Sequence, residues 1–239
     1  MLIYGKNVIF NRILTGKKIH KILLTSKNNQ ELEQFLQKNQ LKFSKKLLEI
    51  CDKKQIDREF SENISHQSII AKIDGIDLIN ENEFLGKNFD KKPNILILDQ
   101  ITDPQNIGAI IRSAFAFDFH HIFVDKRHFP AKSAAIFKSS TGYIDNIKLY
   151  SYSNLNNLLE NLKKIDYWCL GLDGSAKSDI SNIKNLGNIA LILGSEGSGI
   201  RPLVKKNCDL LLKIKMHPKA ESLNVSNAAA IIMNQIYSL

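Results

Sequence analysis

The 239-residue chain reads as an α/β protein built on a mostly parallel sheet, preceded by a smaller α/β unit. Three observations predict this. From Asn94 onward, short apolar runs alternate with segments of helical periodicity, the signature of strands joined by helical crossovers. Two of those runs, Ile95-Leu96-Ile97-Leu98 and Ile189-Ala190-Leu191-Ile192-Leu193, are apolar throughout, as strands buried on both faces are. Hydrophobic residues make up 44% of the chain, enough at this length for a sizeable core.

Taken in order, the pattern predicts a helix over 5–14, a strand over 21–25 (Lys-Ile-Leu-Leu-Thr), helices over 31–38 and 45–51, and a strand over 68–71. Residues 84–93, with Gly86, Asn88, Asp90, Lys91 and Lys92, are polar and read as a linker. The resulting division is 1–80, a linker at 81–92, and 93–239. In the second part a strand over 95–99 leads through a polar turn containing Pro104 to a helix over 108–117. A strand at 121–125, a helix at 131–140, a strand at 147–150 and a helix at 155–164 follow, the last with leucines three and four apart. Strands over 167–172, 189–193 and 210–215 precede a final apolar helix from Asn227 to Tyr237, capped by Ser226 or Asn227.

Composition excludes several function classes. No apolar run approaches the ~18–20 residues of a membrane span. Residues 1–18 lack the apolar stretch and cleavage site of a signal peptide, so a soluble cytoplasmic protein is expected. Cys51, Cys169 and Cys208 share no C-x-x-C spacing, and His120, His121 and His128 have no ligand partners, so no metal is expected. A net charge of +9 favours a polyanionic partner. Lysine dominates that charge, and the arginines are confined to positions 12, 58, 112, 127 and 201. Where lysine is the default, Arg112 and Arg201 point to planar, multi-donor recognition.

Three segments carry chemistry. Asp103-Pro104-Gln105-Asn106-Ile107-Gly108-Ala109 to Arg112 and Ala114 follows a buried strand, where ligands bind in open α/β sheets. Leu193-Gly194-Ser195-Glu196-Gly197-Ser198-Gly199 is a glycine-rich loop after another strand. Its spacing is the reverse of a dinucleotide fingerprint, and Ile200-Arg201 stands where a P-loop needs Lys-Ser/Thr. A plain tight turn leaves Glu196 without a purpose, whereas glycines admit a ligand closely and a carboxylate accepts from its donors. Ser222-Leu223-Asn224-Val225-Ser226 opens the final helix, whose unpaired N–H groups suit an anion or a developing oxyanion.

Together these segments resemble the three motifs of the SpoU (TrmH) branch of the SPOUT class of RNA 2′-O-ribose methyltransferases, in order and with familiar spacing. The resemblance covers about residue 94 to the end. Tyr4-Gly5-Lys6-Asn7-Val8-Ile9 is similar to the opening of those members that carry a small RNA-binding domain first, which narrows the likeness to the bacterial 23S rRNA guanosine 2′-O-methyltransferases. The resemblance implies a deep trefoil knot near the C-terminus, S-adenosylmethionine as methyl donor, and a homodimer. It implies that Arg112 faces the target ribose, either stabilising the 2′-alkoxide, clamping a phosphate or moving a proton. Asn106, Glu196, Ser222 and Asn224 take catalytic-side positions, and Gly194, Ile214, Met216 and Leu223 hold the cofactor. The chain departs from the family at Ile214-Lys215-Met216-His217-Pro218, where Lys215 and Pro218 replace a Pro and a Gly. The expected activity is 2′-O-methylation of structured RNA, 23S rRNA first. tRNA methylation is the nearest alternative, and a non-catalytic RNA-binding assembly factor a different class.

Overall fold

A computed structural model describes residues 1–60, 64–180 and 186–238. In chain order its elements are β1 (Leu2–Tyr4), α1 (Lys6–Leu14), β2 (Lys21–Leu24), α2 (Ser26–Lys38), β3 (Leu48–Ile50), α3 (Lys53–Asp57), β4 (Ile69–Lys72), β5 (Ile79–Asn80) and α4 (Glu81–Leu85). There follow β6 (Ile95–Asp99), α5 (Pro104–Ala116), β7 (His121–Asp125), α6 (Ala134–Ser139), β8 (Lys148–Tyr152), α7 (Leu155–Lys164) and β9 (Tyr167–Leu172). The chain ends with β10 (Ser178–Asp179), β11 (Asn188–Gly194), α8 (Pro202–Asn207), β12 (Leu210–Lys213) and α9 (Val225–Tyr237). They form two compact units. One comprises Met1–Ile76 with Ala131–Asn146, and the other Asp77–Pro130 with the chain from Ile147 onward.

The first unit is a four-stranded sheet in the order β1-β4-β2-β3, with β4 antiparallel to β1 and β2, and β3 parallel to β2. Alternate strand residues such as Ile3, Ile22, Leu24 and Ile69 are fully buried. The helix expected over 45–51 is instead a single 3-10 turn, Lys45–Leu47, running into β3, because pairing with β2 overrides the helical spacing. Residues 131–146 also belong to this unit, which their spacing does not foretell. They are fastened by Arg12, whose Nη1 lies 2.6 Å from Asp145 Oδ1 with both side chains nearly buried. Asn11 Nδ2 donates to Gly142 O (2.7 Å) and Asn146 Oδ1 (2.9 Å). Gly142 has φ +88°, and a Cβ there would lie 3.0 Å from Val8 Cα, so only glycine fits this seam.

Burial pushes the Asp145 carboxyl up to about 6 in spite of Arg12, so the pair is tightly desolvated. Removing one partner of such a pair is costly. Arg12→Met is expected to lower stability by about 3 kcal/mol, read as a lower urea midpoint. An unchanged midpoint would show that the pair does not fasten the segment.

The expected division at 1–80, 81–92 and 93–239 is therefore revised. Residues 81–92 begin with α4, whose Phe84 is fully buried and packs edge-on against Phe123 and Tyr150. β5 pairs with β8 and belongs to the second sheet. A deletion through residue 80 thus removes a strand of the second unit and strips Asp145 of Arg12.

The second unit carries eight strands in the order β10-β12-β9-β11-β6-β7-β8-β5, every pairing parallel. All their carboxyl ends therefore point the same way. On one face α4, α7 and α8 cover Ile95, Ile97, Phe123, Tyr150, Cys169 and Ile192, with Leu155, Leu158, Leu159 and Leu162 of α7 buried among them. On the other face α5 and α9 pack together and α9 reaches β11, burying Ile107, Ile110, Ile111, Ala229, Ile232 and Met233. Among the described residues no helix is long and apolar enough to cross a membrane, and no cluster of side chains could hold a metal ion.

His121 opens β7, 9% exposed, with Nδ1 3.1 Å from Tyr150 Oη and the rings of Phe84 and Phe89 edge-on to it. Burial, with nearby Lys148 and Lys87, pushes its pKa down to about 4. The imidazole is neutral in the fold, whereas in the unfolded chain it takes a proton below its ordinary value. The stability it contributes is present above about pH 6.5 and is lost as pH falls to about 4, by about 3 kcal/mol in all. His121→Gln is expected to flatten this part of a plot of stability against pH. An identical slope in the variant would contradict the assignment.

Candidate active site

The site lies at the carboxyl ends of β6, β9 and β11. α5 starts four residues earlier than its spacing predicts, because Asp103 caps it, accepting from Gln105 N and Asn106 N (both 3.2 Å), and Pro104 takes the first helical position. What reads as a turn is a helix N-terminus, so Asn106 sits in a rigid first turn rather than a loop. α9 likewise starts at Val225. Its cap is Asn224, not Ser226 or Asn227, and Asn224 Oδ1 accepts from Ser226 N (2.9 Å) and Ser226 Oγ (2.5 Å).

Between these two helix ends stands Glu196. Its loop folds back on itself: Gly199 N donates to Ser195 O (3.0 Å), and Gly197 and Gly199 adopt φ +85° and +65°. At Gly194 the backbone passes so close that a Cβ would lie 2.1 Å from Gly199 C. Glu196 Oε1 accepts from Asn106 Nδ2 (2.8 Å) and Asn224 Nδ2 (2.6 Å), and Asn224 Nδ2 also donates to Asn106 Oδ1 (3.0 Å). Each of the three side chains is thus bonded to the other two, one from each motif. Asn106 is largely buried while Glu196 and Asn224 are exposed, so the triangle has a solid back and an open front. A carboxylate held by two amides on one oxygen keeps the other available as an acceptor.

The open side meets a cleft of about 900 Å³. Gly194, Glu196, Ile214, Met216, Ser222, Leu223 and Asn224 line it, and Asn106 stands directly behind Glu196. Lys215 and Pro218, the two departures from the family loop, do not line it. His217 closes a turn there, its Nδ1 accepting from Lys219 N (3.2 Å).

Arg112 is not brought to this cleft. It is exposed on α5, and among the described residues no hydrogen bond or ion pair engages it. Six residues past Asn106, it is turned about 120° from that side chain and displaced about 9 Å along the helix.

The structure adds residues that the sequence reading leaves unassigned. Asp99, at the end of β6 and fully buried, accepts from Arg201 Nε (2.8 Å) and Arg201 N (3.2 Å), and Arg201 Nη2 lies 2.7 Å away. This fork ties the glycine loop to the start of the Asp103 turn and explains an arginine at 201. Asp173, just past β9, is held by Ser175 and Lys205 and lines the cleft. The signal for both was an aspartate closing an apolar run, at 99, 125 and 173 alike.

Comparison with known proteins identifies the family and the fold. Residues 93–234 match the SpoU rRNA Methylase family, and residues 2–77 match the RNA 2′-O ribose methyltransferase substrate binding domain. The putative TrmH family tRNA/rRNA methyltransferase YacO of Bacillus subtilis (strain 168) is 30% identical over 240 residues, spanning 98% of this chain and 94% of that protein. Among solved structures, the SpoU methyltransferase AviRb from Streptomyces viridochromogenes, in complex with AdoMet, matches with a TM-score of 0.77 at 21% identity, covering 100% of this chain and 89% of that one. An AdoMet-bound rRNA methyltransferase from Sinorhizobium meliloti matches with a TM-score of 0.76 at 16% identity, covering 98% and 85%. With a family match over more than half its length, joined to that family's substrate-binding unit, the chain belongs to the SpoU/TrmH family of RNA 2′-O-ribose methyltransferases.

Proposed function

We propose that the protein transfers a methyl group from S-adenosylmethionine to the ribose 2′-OH of a guanosine in 23S rRNA, in the cytoplasm. The observation that carries this is the closed triangle of Asn106, Glu196 and Asn224 at the mouth of the cleft. The residues present fit the cofactor. The cleft is within the roughly 300–1,000 Å³ of small-molecule sites. Ile214, Met216 and Leu223 offer apolar walls, the Gly194 turn brings backbone to the surface, and carboxylates suit a cationic ligand. When bound, S-adenosylmethionine supplies a methyl group on a positively charged sulfur.

The chain's own part is to hold and orient. Gly194, Ile214, Met216 and Leu223 hold the donor. Glu196, fixed by the two amides, has an oxygen free to accept from the ribose side, and the exposed Ser222 lines the same cleft. Arg112, too far round α5 for its own cleft, serves the site of a second copy in a homodimer, where its fork stabilises the 2′-alkoxide or clamps the neighbouring phosphate. α9 presents Ala228, Ala230 and the exposed Ile231 for such packing. Light scattering is expected to give twice the chain mass at micromolar concentration, and a monomeric mass would remove this role.

The matched substrate-binding unit supports rRNA over tRNA, because the tRNA 2′-O-methyltransferases that this chain resembles often lack a separate N-terminal domain. The trefoil threading of the segment after β11 belongs to the same proposal. A non-catalytic binder would have no need of the triangle. Calorimetry is expected to show S-adenosylmethionine binding at micromolar to millimolar levels, and no binding at millimolar donor would sink the proposal.

A further inference from the structure

The lining of the cleft also holds a charge arrangement that the transfer step does not use. Leu172 to Ser175, at the carboxyl end of β9, and Lys205 of α8 line the cleft together, with Lys205 in contact with Asp173. Asp173 is nine-tenths buried, and Oδ1 accepts from Ser175 N (2.8 Å) and Ser175 Oγ (2.7 Å). Oδ2, itself sealed from solvent, lies against the Lys205 ammonium. Burial alone would raise the Asp173 carboxyl, but Lys205 and Ser175 outweigh it and hold it below its ordinary value. Both oxygens are therefore committed, and Asp173 has nothing left to offer a ligand. Lys205 differs: an ammonium has three donors, one faces Asp173, and about a third of the side chain is open.

Charge makes the contrast sharper. In a chain of net charge +9, the described residues lining this cleft include three carboxylates (Asp173, Glu196 and Glu221) and one cation, Lys205. An S-adenosylmethionine molecule carries two positive groups, the sulfonium and the α-ammonium, and one negative group, the α-carboxylate. Glu196 and Glu221 suit the former, and Lys205 is the charged side chain of this lining that suits the latter.

We propose that Lys205, held in place by Asp173, anchors the α-carboxylate of the donor and makes the cleft selective for ligands with a free amino-acid end. This rests on the donor-binding reading above. α8 follows the glycine loop directly, with Pro202 at its first position, so the anchor and Glu196 stand at the two ends of one continuous segment. A donor fixed at its carboxylate is thereby fixed relative to the triangle.

The test is calorimetric and needs no turnover. Wild-type protein is titrated with S-adenosylmethionine, S-adenosylhomocysteine and 5′-methylthioadenosine, a nucleoside that lacks the amino-acid end. Lys205→Gln is expected to weaken the first two by about 10- to 100-fold, the worth of a charge-assisted hydrogen bond, and to leave the third within about twofold. Lys205→Arg should keep most of the affinity, and Asp173→Asn should lose part of it, again only for the two amino-acid ligands. The ratio between ligands is internal to each variant, so a loss of folded protein cannot imitate it. Equal weakening of all three, or no weakening in Lys205→Gln, would overturn the assignment. Wild-type protein that binds none of the three would overturn the donor reading itself, and the anchor with it.

Discussion

Arg112→Ala is expected to lower methyl transfer by about 10²–10³-fold, the usual effect of removing one preorganised donor at a developing oxyanion, while leaving donor affinity unchanged. The second half of that statement follows from position: Arg112 lines no part of the cleft and is exposed on α5. Arg112→Lys should recover little, since a point charge does not reproduce the guanidinium fork. If the arginine serves a partner's site, mixing Arg112→Ala with Asn224→Ala protein should restore activity, because one of the two sites in a mixed dimer is then intact. An Arg112→Ala protein that turns over normally would remove the residue from the mechanism. Inactive mixtures would place it in its own subunit's site.

Gly194→Ala is expected to abolish donor binding and to lower the melting temperature. The new Cβ would lie 2.1 Å from Gly199 C and 2.2 Å from Ile200 N, both backbone atoms with no rotamer to yield. The loop must open, which moves Glu196 away from Asn106 and Asn224 and costs about 1–3 kcal/mol or more of overpacking strain. Gly197→Ala is a useful control, since nothing lies within 4 Å of its Cβ and only its positive φ is strained. Calorimetry and thermal unfolding separate the two variants. A Gly194→Ala protein that still binds donor normally would mean that the closure there is not needed.

The parallel sheet was legible because its strands are buried on both faces. The continuous runs at 95–98 and 189–193 leave little room for another reading, and the leucines of α7 mark its buried side. Helix starts were less legible. Asp103-Pro104 and Asn224 read as turn or loop residues because their side chains cap helices that begin before the apolar periodicity does. The removal of residues 131–146 to the first unit leaves no trace in the sequence, since a helix reads alike whichever sheet it covers. The buried pair of Arg12 and Asp145, far apart in sequence, reveals it in the structure, together with the bonds of Asn11 to Gly142 and Asn146.

The site divides in the same way. Asn106, Glu196 and Asn224 stand out because polar residues beside apolar strand and helix ends have few structural uses. Lys205 looks like any surface lysine, one of many in this chain, and Asp173 like a turn residue. Their meaning comes from the cleft that the fold closes around them.

The most direct test of the central claim is the identity of the methylated product. Purified protein is incubated with methyl-labelled S-adenosylmethionine and either 23S rRNA or tRNA, and the RNA is digested to nucleosides for mass spectrometry. Label is expected in 2′-O-methylguanosine from 23S rRNA and is lost in Arg112→Ala. Label on a base, label confined to tRNA, or no label in either RNA would contradict it.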